Sequence, residues 1–335
     1  MTRDDLVVTE PSHVGRARVV AASAAARAGL PLDRVHLVSL AATELASNLL
    51  KHAGRGVFTV APEPGRLDVL AVDRGPGIGR IEESMRDGYS TAGTLGGGLG
   101  AVRRACDVFD VYSRRGEGTA VLARWLGRPT GPAQRPGDLR IGSAVLTAPG
   151  ESECGDRWTA VTAGDGVTVA VSDGLGHGAQ AAKASDAAVA TLAAHAELRP
   201  ARILELMQPS LASTRGATVA IAQVTPPQGR MRFCGVGNVS TRFYADPDRA
   251  VQRIVSRHGI VGVAAKLRQT DSVHEWSRRS LLVLHSDGVS DRWSSSDWPG
   301  LFNHDPATVA GWILGQRGRG RDDACVVVVA GGGGR

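Results

Sequence analysis

Apolar and polar positions alternate with different periods in the two halves of this chain. In residues 32–52, apolar side chains recur at three- and four-residue steps from Leu32 through Val38 and Leu45 to Leu49, which predicts a helix with one buried face. The surrounding pattern predicts a mixture of helices and strands. The other expected elements of this half are helices over 14–28 and from Ala101, and strands over 56–61, 66–72 and 118–126.

After residue 138, short apolar runs predominate, and their length is typical of strands. The stretch GRPTGPAQRPGD, residues 127–138, contains three prolines and three glycines, which predicts a linker. We therefore expect an α/β (α+β) chain with domains over 6–126 and 139–330, each long enough to bury a core. The second domain is predicted to have helices over 179–197 and 201–211 and strands over 139–146, 158–163, 167–172, 217–224, 231–236, 281–286 and 325–330.

Charge and cysteine content exclude several classes of function. The formal net charge of +6 is spread over the whole chain rather than collected in one patch, which argues against nucleic-acid binding. The four cysteines form no Cys-x-x-Cys pair, so neither a zinc site nor a disulfide framework is expected. The start of the chain lacks the apolar core of a signal peptide, and no apolar run has membrane-spanning length, so we expect a cytoplasmic protein. No pattern indicates an oligomeric state.

Polar residues in the first half suggest a nucleotide site. Glu44 and Asn48 lie four residues apart in the predicted helix and therefore project from one face. A carboxylate beside a carboxamide suits a base and a Mg²⁺ ligand, although alone such a pair is more simply a solvated helix face. Asp73 ends a predicted strand and precedes Gly75 and Gly77. The Asp73 carboxylate can accept a hydrogen bond from an exocyclic amine, and the glycines allow the backbone to approach a flat ligand closely.

A second glycine-rich stretch, TLGGGLGAVRRA, places Gly96, Gly98 and Gly100 just before a predicted helix. Backbone N–H groups there would form a cradle for phosphates. The same letters fit the Gly-x-Gly-x-x-Ala dinucleotide fingerprint, but that motif requires a preceding strand. Because GYSTAGTL is a poor strand, we disfavour a Rossmann site.

ELASNLLKHA, DRGPGI, GGGLG and GEGTAV occur in the order of the sequence boxes of the GHKL-type ATPase fold, an α/β sandwich. Residues 6–126 thereby resemble the small RsbT and RsbW/SpoIIAB-like serine kinases of bacterial stress and sporulation signalling. The resemblance implies an ATP site with Mg²⁺ on Asn48, and it implies that Glu44 is the base towards a protein hydroxyl. The residues that it assigns to the nucleotide and its metal are Asn48, Asp73, Gly75, Gly77, Gly96, Gly98, Gly100 and Thr119.

Acidic residues after the linker stand at turns next to predicted strands. Asp156 precedes one strand, Asp173 and Asp287 each end a strand and precede a glycine, and Asp322 and Asp323 precede the last strand. Carboxylates at strand ends can converge at one edge of a sheet, and divalent cations prefer such oxygen ligands. Two bound ions could activate water to attack a phosphate ester. Asp-Gly is also a common turn dipeptide, so a single such motif has a purely structural interpretation.

The segments CGD, SDGLGHGAQAA, GATVAI, GVGNV, HSDGV and GRDDA resemble the PPM-type (protein phosphatase 2C-like) domain in its SpoIIE/RsbX branch. The resemblance implies a β-sandwich flanked by helices and a phosphoserine/phosphothreonine phosphatase with two Mn²⁺ or Mg²⁺ ions. Two positions depart from the commoner pattern of this family. Cys154 stands where a glycine is frequent, and Ala324-Cys325 stand where Met-Thr is frequent, but neither change removes a ligand. The implied ligands are Asp156, Asp173, the Gly174 carbonyl, Asp287 and Asp322, with Asp173 and Asp287 also catalytic.

Two neighbouring residues invite a chemical interpretation. His177, in Gly-His-Gly, is either a general acid or, as we favour, a residue that orders the turn. Cys154 lacks a paired histidine or a Cys-x5-Arg loop, so we expect a packed side chain rather than a nucleophile.

RsbT-like proteins phosphorylate STAS-domain scaffolds and RsbX-like proteins remove that phosphate. The combined resemblance therefore implies a bifunctional kinase and phosphatase of a bacterial partner-switching pathway that controls a sigma factor. Two alternatives remain open. In the first, the ATPase-like domain only docks or senses, and in the second the chain is a non-enzymatic anti-sigma-type binder.

Overall fold

The computed structural model describes residues 4–81, 98–127, 139–263 and 269–332. The chain forms two compact units. The first contains residues 1–133 together with Ala307–Gln316, and the second contains residues 134–306 together with 317–335.

The first unit is a five-stranded antiparallel sheet with helices packed on it. Its core lies between one face of the sheet and these helices. The strands, in the spatial order β1-β2-β3-β5-β4, are β1 (Asp4–Val8), β2 (Gly56–Glu63), β3 (Arg66–Asp73), β4 (Val108–Arg114) and β5 (Gly118–Leu126). The first three helices are α1 (Pro11–Arg27), α2 (Leu32–Ala53) and α3 (Gly98–Ala105).

Helix α2 places the candidate catalytic pair. Val38, Leu45 and Leu49 are buried as the periodicity predicts, but Leu32 is 73% exposed, so its expected place in the buried face was wrong. Leu32 is the first helical residue and precedes the part of the helix that packs into the core. The helix ends at Gly54, whose φ of +70° suits a glycine that terminates a helix.

A helix from the end of the chain completes the first unit. Helix α6 (Pro306–Arg317) contributes Ala307–Gln316 to this unit, whereas the sequence placed all of 139–330 in one domain. The Trp312 and Tyr112 rings meet edge to face, with 4.7 Å between their centroids. Gly311 and Gly315 allow close packing of this helix. A Cβ atom at Gly311 would lie only 2.5 Å from a Leu70 methyl carbon, and a Cβ atom at Gly315 only 2.3 Å from a Val72 methyl carbon.

Leu70 and Val72 alternate along β3 with Leu67, Val69 and Ala71, which face helices α1 and α2. Helix α6 therefore covers the opposite face of the same sheet.

The second unit is a β-sandwich of two five-stranded antiparallel sheets, as the resemblance to the PPM-type domain implies. The first sheet has the order β13-β10-β9-β8-β7, and the second has the order β12-β11-β14-β15-β6. The strands are β6 (Arg140–Leu146), β7 (Asp156–Ala163), β8 (Gly166–Gly174), β9 (Ala217–Thr225), β10 (Arg230–Val236), β11 (Ser240–Tyr244), β12 (Gln252–Ile254), β13 (Ser272–Glu275), β14 (Leu281–His285) and β15 (Ala324–Ala330).

Apolar side chains from both sheets meet in the middle of this sandwich, among them Val169, Leu284 and Val327. Helices α4 (Ala179–Ala194) and α5 (Pro200–Ser210) pack through Leu192 and Met207 on the outer face of the first sheet. None of the helices in the described residues combines the length and apolarity that crossing a bilayer requires.

Candidate functional sites

The predicted metal-binding aspartates lie at one end of the β-sandwich. Asp156 is the first residue of β7 and stands directly opposite Asp173 near the end of β8. Side chains of residues paired in this way share one face of a sheet, at the shortest cross-strand separation. The sheet register therefore brings together two carboxylates that are 17 positions apart in the sequence.

Asp287 joins this pair from the second sheet. Its backbone N–H donates to the Asp173 carboxylate. Its own carboxylate oxygen Oδ2 accepts from Asn238 Nδ2 at 2.7 Å, and Asn238 Oδ1 accepts from the Thr218 hydroxyl at 2.9 Å. Thr218 lies opposite Asp173 on β9, so this chain of hydrogen bonds connects the two sheets across the site.

The adjacent acidic residues Asp322 and Asp323 have different roles. Asp323 is buried, and its two carboxylate oxygens accept from Ala148 N at 2.8 Å and Gly155 N at 2.7 Å. Asp322 is exposed and accepts from the Asp323 N–H at 2.9 Å. Asp323 therefore holds the loop before Asp156, whereas Asp322, which the sequence predicted as a ligand, remains available to a cation.

Gly288 explains how the Asp287 turn meets the last strand. A Cβ atom at Gly288 would lie 1.8 Å from the Asp323 carbonyl oxygen, so any larger residue would push these two segments apart. Two hydrogen bonds reinforce the contact, from Ser286 N to Cys325 O at 3.0 Å and from Cys325 N to Ser286 Oγ at 2.9 Å. Gly174 is equally constrained, since its Cβ would lie 2.1 Å from the Ala181 carbonyl.

Mutual repulsion and burial disfavour the ionised forms of these carboxyls. Burial, followed by the negative charges of Asp287 and Asp322, raises the pKa of Asp173 to about 7. Burial and the neighbouring Asp173 raise the pKa of Asp156 well above its usual range, although a hydrogen bond from Ser286 acts in the opposite direction. A cation bound between these carboxylates would relieve both their mutual repulsion and the cost of burying their charge.

The chemistry of the site fits a divalent cation. The Asp156 carboxylate oxygen Oδ2 is buried and has no hydrogen-bond partner, which is costly for a carboxylate unless a cation faces it. Within the described ranges of the chain, no group of three or more His, Cys, Asp or Glu side chains has its donor atoms close enough together to hold a metal ion. The proposed ligand set therefore rests on burial, sheet register and charge.

These pKa shifts predict that the metal-free second unit loses stability as the pH rises. Because Asp173 holds its proton up to about pH 7 when folded but releases it near its ordinary pKa of 3.8 when unfolded, folding is favoured at low pH. With EDTA present, we expect the melting temperature to fall by at least about 5 °C between pH 5 and pH 8. Thermal melts monitored by circular dichroism, with and without Mn²⁺, measure this change.

Manganese should restore the lost stability at pH 8, and Asp173→Asn should flatten the pH dependence in EDTA. An equally steep decline in that variant would contradict the assignment to Asp173.

The two neighbouring residues have structural roles. The His177 side chain is 66% exposed, and its Nδ1 lies 2.6 Å from Glu151 Oε1, which joins the loop before β7 to the Gly-His-Gly turn. This contact favours the turn-ordering interpretation. Cys154 is buried, and burial together with Asp156 strongly raises the pKa of its thiol, which agrees with a packed side chain.

The predicted adenine site lies where β3 and β5 end in the first unit. Asp73 pairs directly with Thr119, so their side chains share one face of the sheet. Asp73 Oδ1 accepts from Gly75 N at 2.7 Å. Burial raises the pKa of Asp73, while the backbone N–H groups of Gly75 and Thr119 oppose that rise.

The glycines after Asp73 allow a tight loop. Gly77 has a φ of +69°, and its Cβ would lie 2.0 Å from the Arg114 carbonyl oxygen. A Cβ at Gly75 would lie 2.7 Å from that of Ala53, at the end of helix α2. The Gly116 N–H donates to the Pro76 carbonyl at 2.8 Å, so the loop is fastened to the β4–β5 turn.

The candidate catalytic pair and two of the predicted phosphate-binding glycines lie on two helices of this unit. Glu44 and Asn48 are half-buried on α2, off its apolar face. Gly98 and Gly100 are in the first turn of α3, whereas Gly96 lies outside the described residues. The Rossmann alternative fails because this unit has an antiparallel sheet, whereas the dinucleotide motif belongs to a parallel one.

Sequence analysis assigned no role to four polar residues that support these sites. Their importance comes from hydrogen bonds between segments far apart in the chain, so neither periodicity nor spacing reveals them. For Asn238, Ser286 and Asp323, the quoted segments GVGNV, HSDGV and GRDDA offered a signal. The four are Ser113, Asn238, Ser286 and Asp323.

Comparison with known proteins gives a consistent result for each unit. Residues 7–125 match the histidine kinase-like ATPase domain family, and residues 163–330 match the family of stage II sporulation protein E (SpoIIE). Over 94 residues the chain is 42% identical to the serine/threonine-protein kinase RsbT of Bacillus subtilis, which is 27% of this chain and 71% of RsbT.

Two comparisons concern the second unit. Over 145 residues the chain is 26% identical to the phosphoserine phosphatase RsbX of Bacillus subtilis, which is 43% of this chain and 72% of RsbX. A crystal structure of RsbX in complex with magnesium superposes with a TM-score of 0.51 and 21% identity, covering 57% of this chain and 94% of that one, and shows the likeness of fold. The SpoIIE match spans half of this chain, which therefore belongs to the SpoIIE family. Residues 7–125 join that domain to a histidine kinase-like ATPase domain, and the chain is similar to RsbT.

Proposed function

We propose that this chain is a bifunctional regulator of a bacterial partner-switching stress pathway. Its first unit would phosphorylate a serine or threonine of a STAS-domain protein, and its second unit would remove that phosphate. One observation carries the phosphatase half of the proposal. Asp156 and Asp173 face each other beside Asp287, and one buried Asp156 oxygen has no hydrogen-bond partner, so a bound cation would satisfy it.

In the second unit, the proposed ligands would hold two Mn²⁺ or Mg²⁺ ions. When bound, such ions supply a water of lowered pKa and neutralise charge on the phosphate ester. Asn238 fixes the orientation of Asp287, and Asp323 fixes the loop that carries Asp156. The proposed ligands are Asp156, Asp173, the Gly174 carbonyl, Asp287 and Asp322.

In the first unit, Asp73 and Thr119 would bind the adenine ring and Asn48 the Mg²⁺ of ATP. The N–H groups at the start of α3 would bind phosphate oxygens. Glu44, one helical turn from Asn48, would accept the proton of the attacking hydroxyl group. Phosphoryl transfer requires mainly positioning and charge neutralisation, which this arrangement would supply.

The names of the relatives favour two opposed activities. RsbT is named a serine/threonine-protein kinase and RsbX a phosphoserine phosphatase, and we propose that this chain combines both reactions on one STAS-domain substrate. Continuous opposition would only hydrolyse ATP, so binding of the partner or of nucleotide should favour one reaction. The docking-only alternative predicts phosphate removal without phosphate addition.

The test incubates the full chain with ATP, Mn²⁺ and STAS-domain proteins from the same genome. Phosphate addition and removal are followed separately by phosphate-affinity electrophoresis. We expect both reactions on one STAS-domain protein. The ratio of the rate of phosphate addition to the rate of phosphate removal should change with the concentration of that protein or of ATP. Two constant rates, or no reaction on any STAS-domain protein, would contradict the proposal.

A further inference from the structure

The hydroxyl group of Ser113 on β4 lies at the junction of three segments of the adenine site. Its oxygen is 2.7 Å from the Ile78 backbone nitrogen, 2.9 Å from the Gly118 carbonyl oxygen and 2.9 Å from the Thr119 hydroxyl oxygen. A serine hydroxyl has one proton and two lone pairs, so three contacts use its whole capacity. The direction of each hydrogen bond can therefore be assigned.

The backbone groups determine these directions. The Ile78 N–H can only donate to Ser113, and the Gly118 carbonyl can only accept, so the single Ser113 proton points at Gly118. Ser113 then has only a lone pair left for Thr119. The Thr119 hydroxyl must donate its proton to Ser113, and both of its own lone pairs are left as acceptors.

This assignment leaves two acceptors side by side along one edge of the adenine site. Thr119 stands opposite Asp73 on the adjacent strand, and the Asp73 carboxylate also accepts. An exocyclic amino group offers donors to such an edge. A 6-oxo group is itself an acceptor, so no proton would lie between it and the Thr119 hydroxyl or the Asp73 carboxylate.

We propose that Ser113 is a specificity-determining residue, which by orienting the Thr119 hydroxyl makes the site select 6-amino purine nucleotides over 6-oxo ones. The inference rests on the proposed ATP site and extends it to a residue that would not itself touch the nucleotide. In an alanine variant, the Thr119 hydroxyl is free to rotate and donate, so it can satisfy a 6-oxo group.

The test measures binding of ATP and of GTP, each with Mg²⁺, to the full chain by isothermal titration calorimetry. We expect Ser113→Ala to lower the ATP-to-GTP affinity ratio by about fivefold or more, because one acceptor ceases to discriminate. Ser113→Thr retains a hydroxyl at this position and should keep the ratio within about twofold. The matched control is Ser39→Ala, whose half-buried hydroxyl bonds only within helix α2, to Val35 O at 2.9 Å.

Ser113 also anchors the loop through Ile78. If its role were purely structural, Ser113→Ala would lower the affinities for ATP and GTP by the same factor. An unchanged affinity ratio in Ser113→Ala, whether or not both affinities fall, would overturn the inference while leaving the ATP site intact. Failure of the unmodified chain to bind either nucleotide would overturn the inference and the proposed ATP site together.

Discussion

Asparagine in place of Asp173 should abolish metal-dependent hydrolysis and, without metal, make the second unit more stable. The carboxylate is surrounded by Asp156, Asp287 and Asp322, so its charge is useful only when a cation is bound. Loss of a ligand removes several kcal/mol of stabilisation from the transition state, which corresponds to a decrease in rate of at least about a hundredfold. Hydrolysis of p-nitrophenyl phosphate with Mn²⁺ measures the rate, and thermal melts in EDTA at pH 8 measure the stability.

The matched control is Asp165→Asn, in the turn at the other end of the β7–β8 hairpin. We expect its rate to stay within about twofold of the unmodified chain, since surface changes away from a site have small effects. The opposite changes in activity and stability are the informative feature. A variant Asp173→Asn that hydrolysed the ester normally, or that melted at a lower temperature in EDTA, would exclude the proposed centre.

Glutamine in place of Glu44 should remove phosphate transfer while leaving ATP binding unchanged. The substitution keeps the shape of the side chain but removes its ability to take a proton from the attacking hydroxyl. General base catalysis contributes about 10² to 10⁴ in rate, so transfer to the STAS-domain protein should fall at least about a hundredfold. Transfer is measured with radiolabelled ATP, and binding by calorimetry.

Two further variants make this result specific. Asn48→Ala should weaken Mg²⁺-dependent ATP binding itself, because the proposed metal ligand is lost. Glu63→Gln, at the end of β2, is a control carboxylate in the same unit and should change neither quantity. Normal phosphate transfer by Glu44→Gln would favour the alternative in which this domain only docks or senses.

Amphipathic helices and apolar strands could be predicted from the sequence, whereas a uniformly apolar helix and the shortest strands could not. Helix α2 was recognisable because its apolar and polar faces differ. Helix α6, PATVAGWILGQR, is buried from Pro306 to Leu314 and shows no polar face, so periodicity gave no signal. Strands β11 to β13 have three to five residues each, too few to show alternation.

The same limit applies to the candidate sites. Asp156, Asp173 and Asp287 could be selected from the sequence, because carboxylates next to strands and glycines are typical of a metal site. The distinction between Asp322 and Asp323 could not be made, since it depends on which carboxylate accepts from the backbone of Ala148 and Gly155. Linear spacing carries no information about such contacts.

Helix α6 has a consequence for how such a gene could evolve. The predicted linker over 127–138 looks like a natural place to separate the two domains. A fragment that ended there would lack Trp312 and its neighbours, leaving Leu70, Val72 and Tyr112 bare on the outer face of the sheet. An uncovered apolar surface of this kind favours aggregation. A gene split at the linker would therefore give a first fragment without this helix, so we expect selection to disfavour such a split.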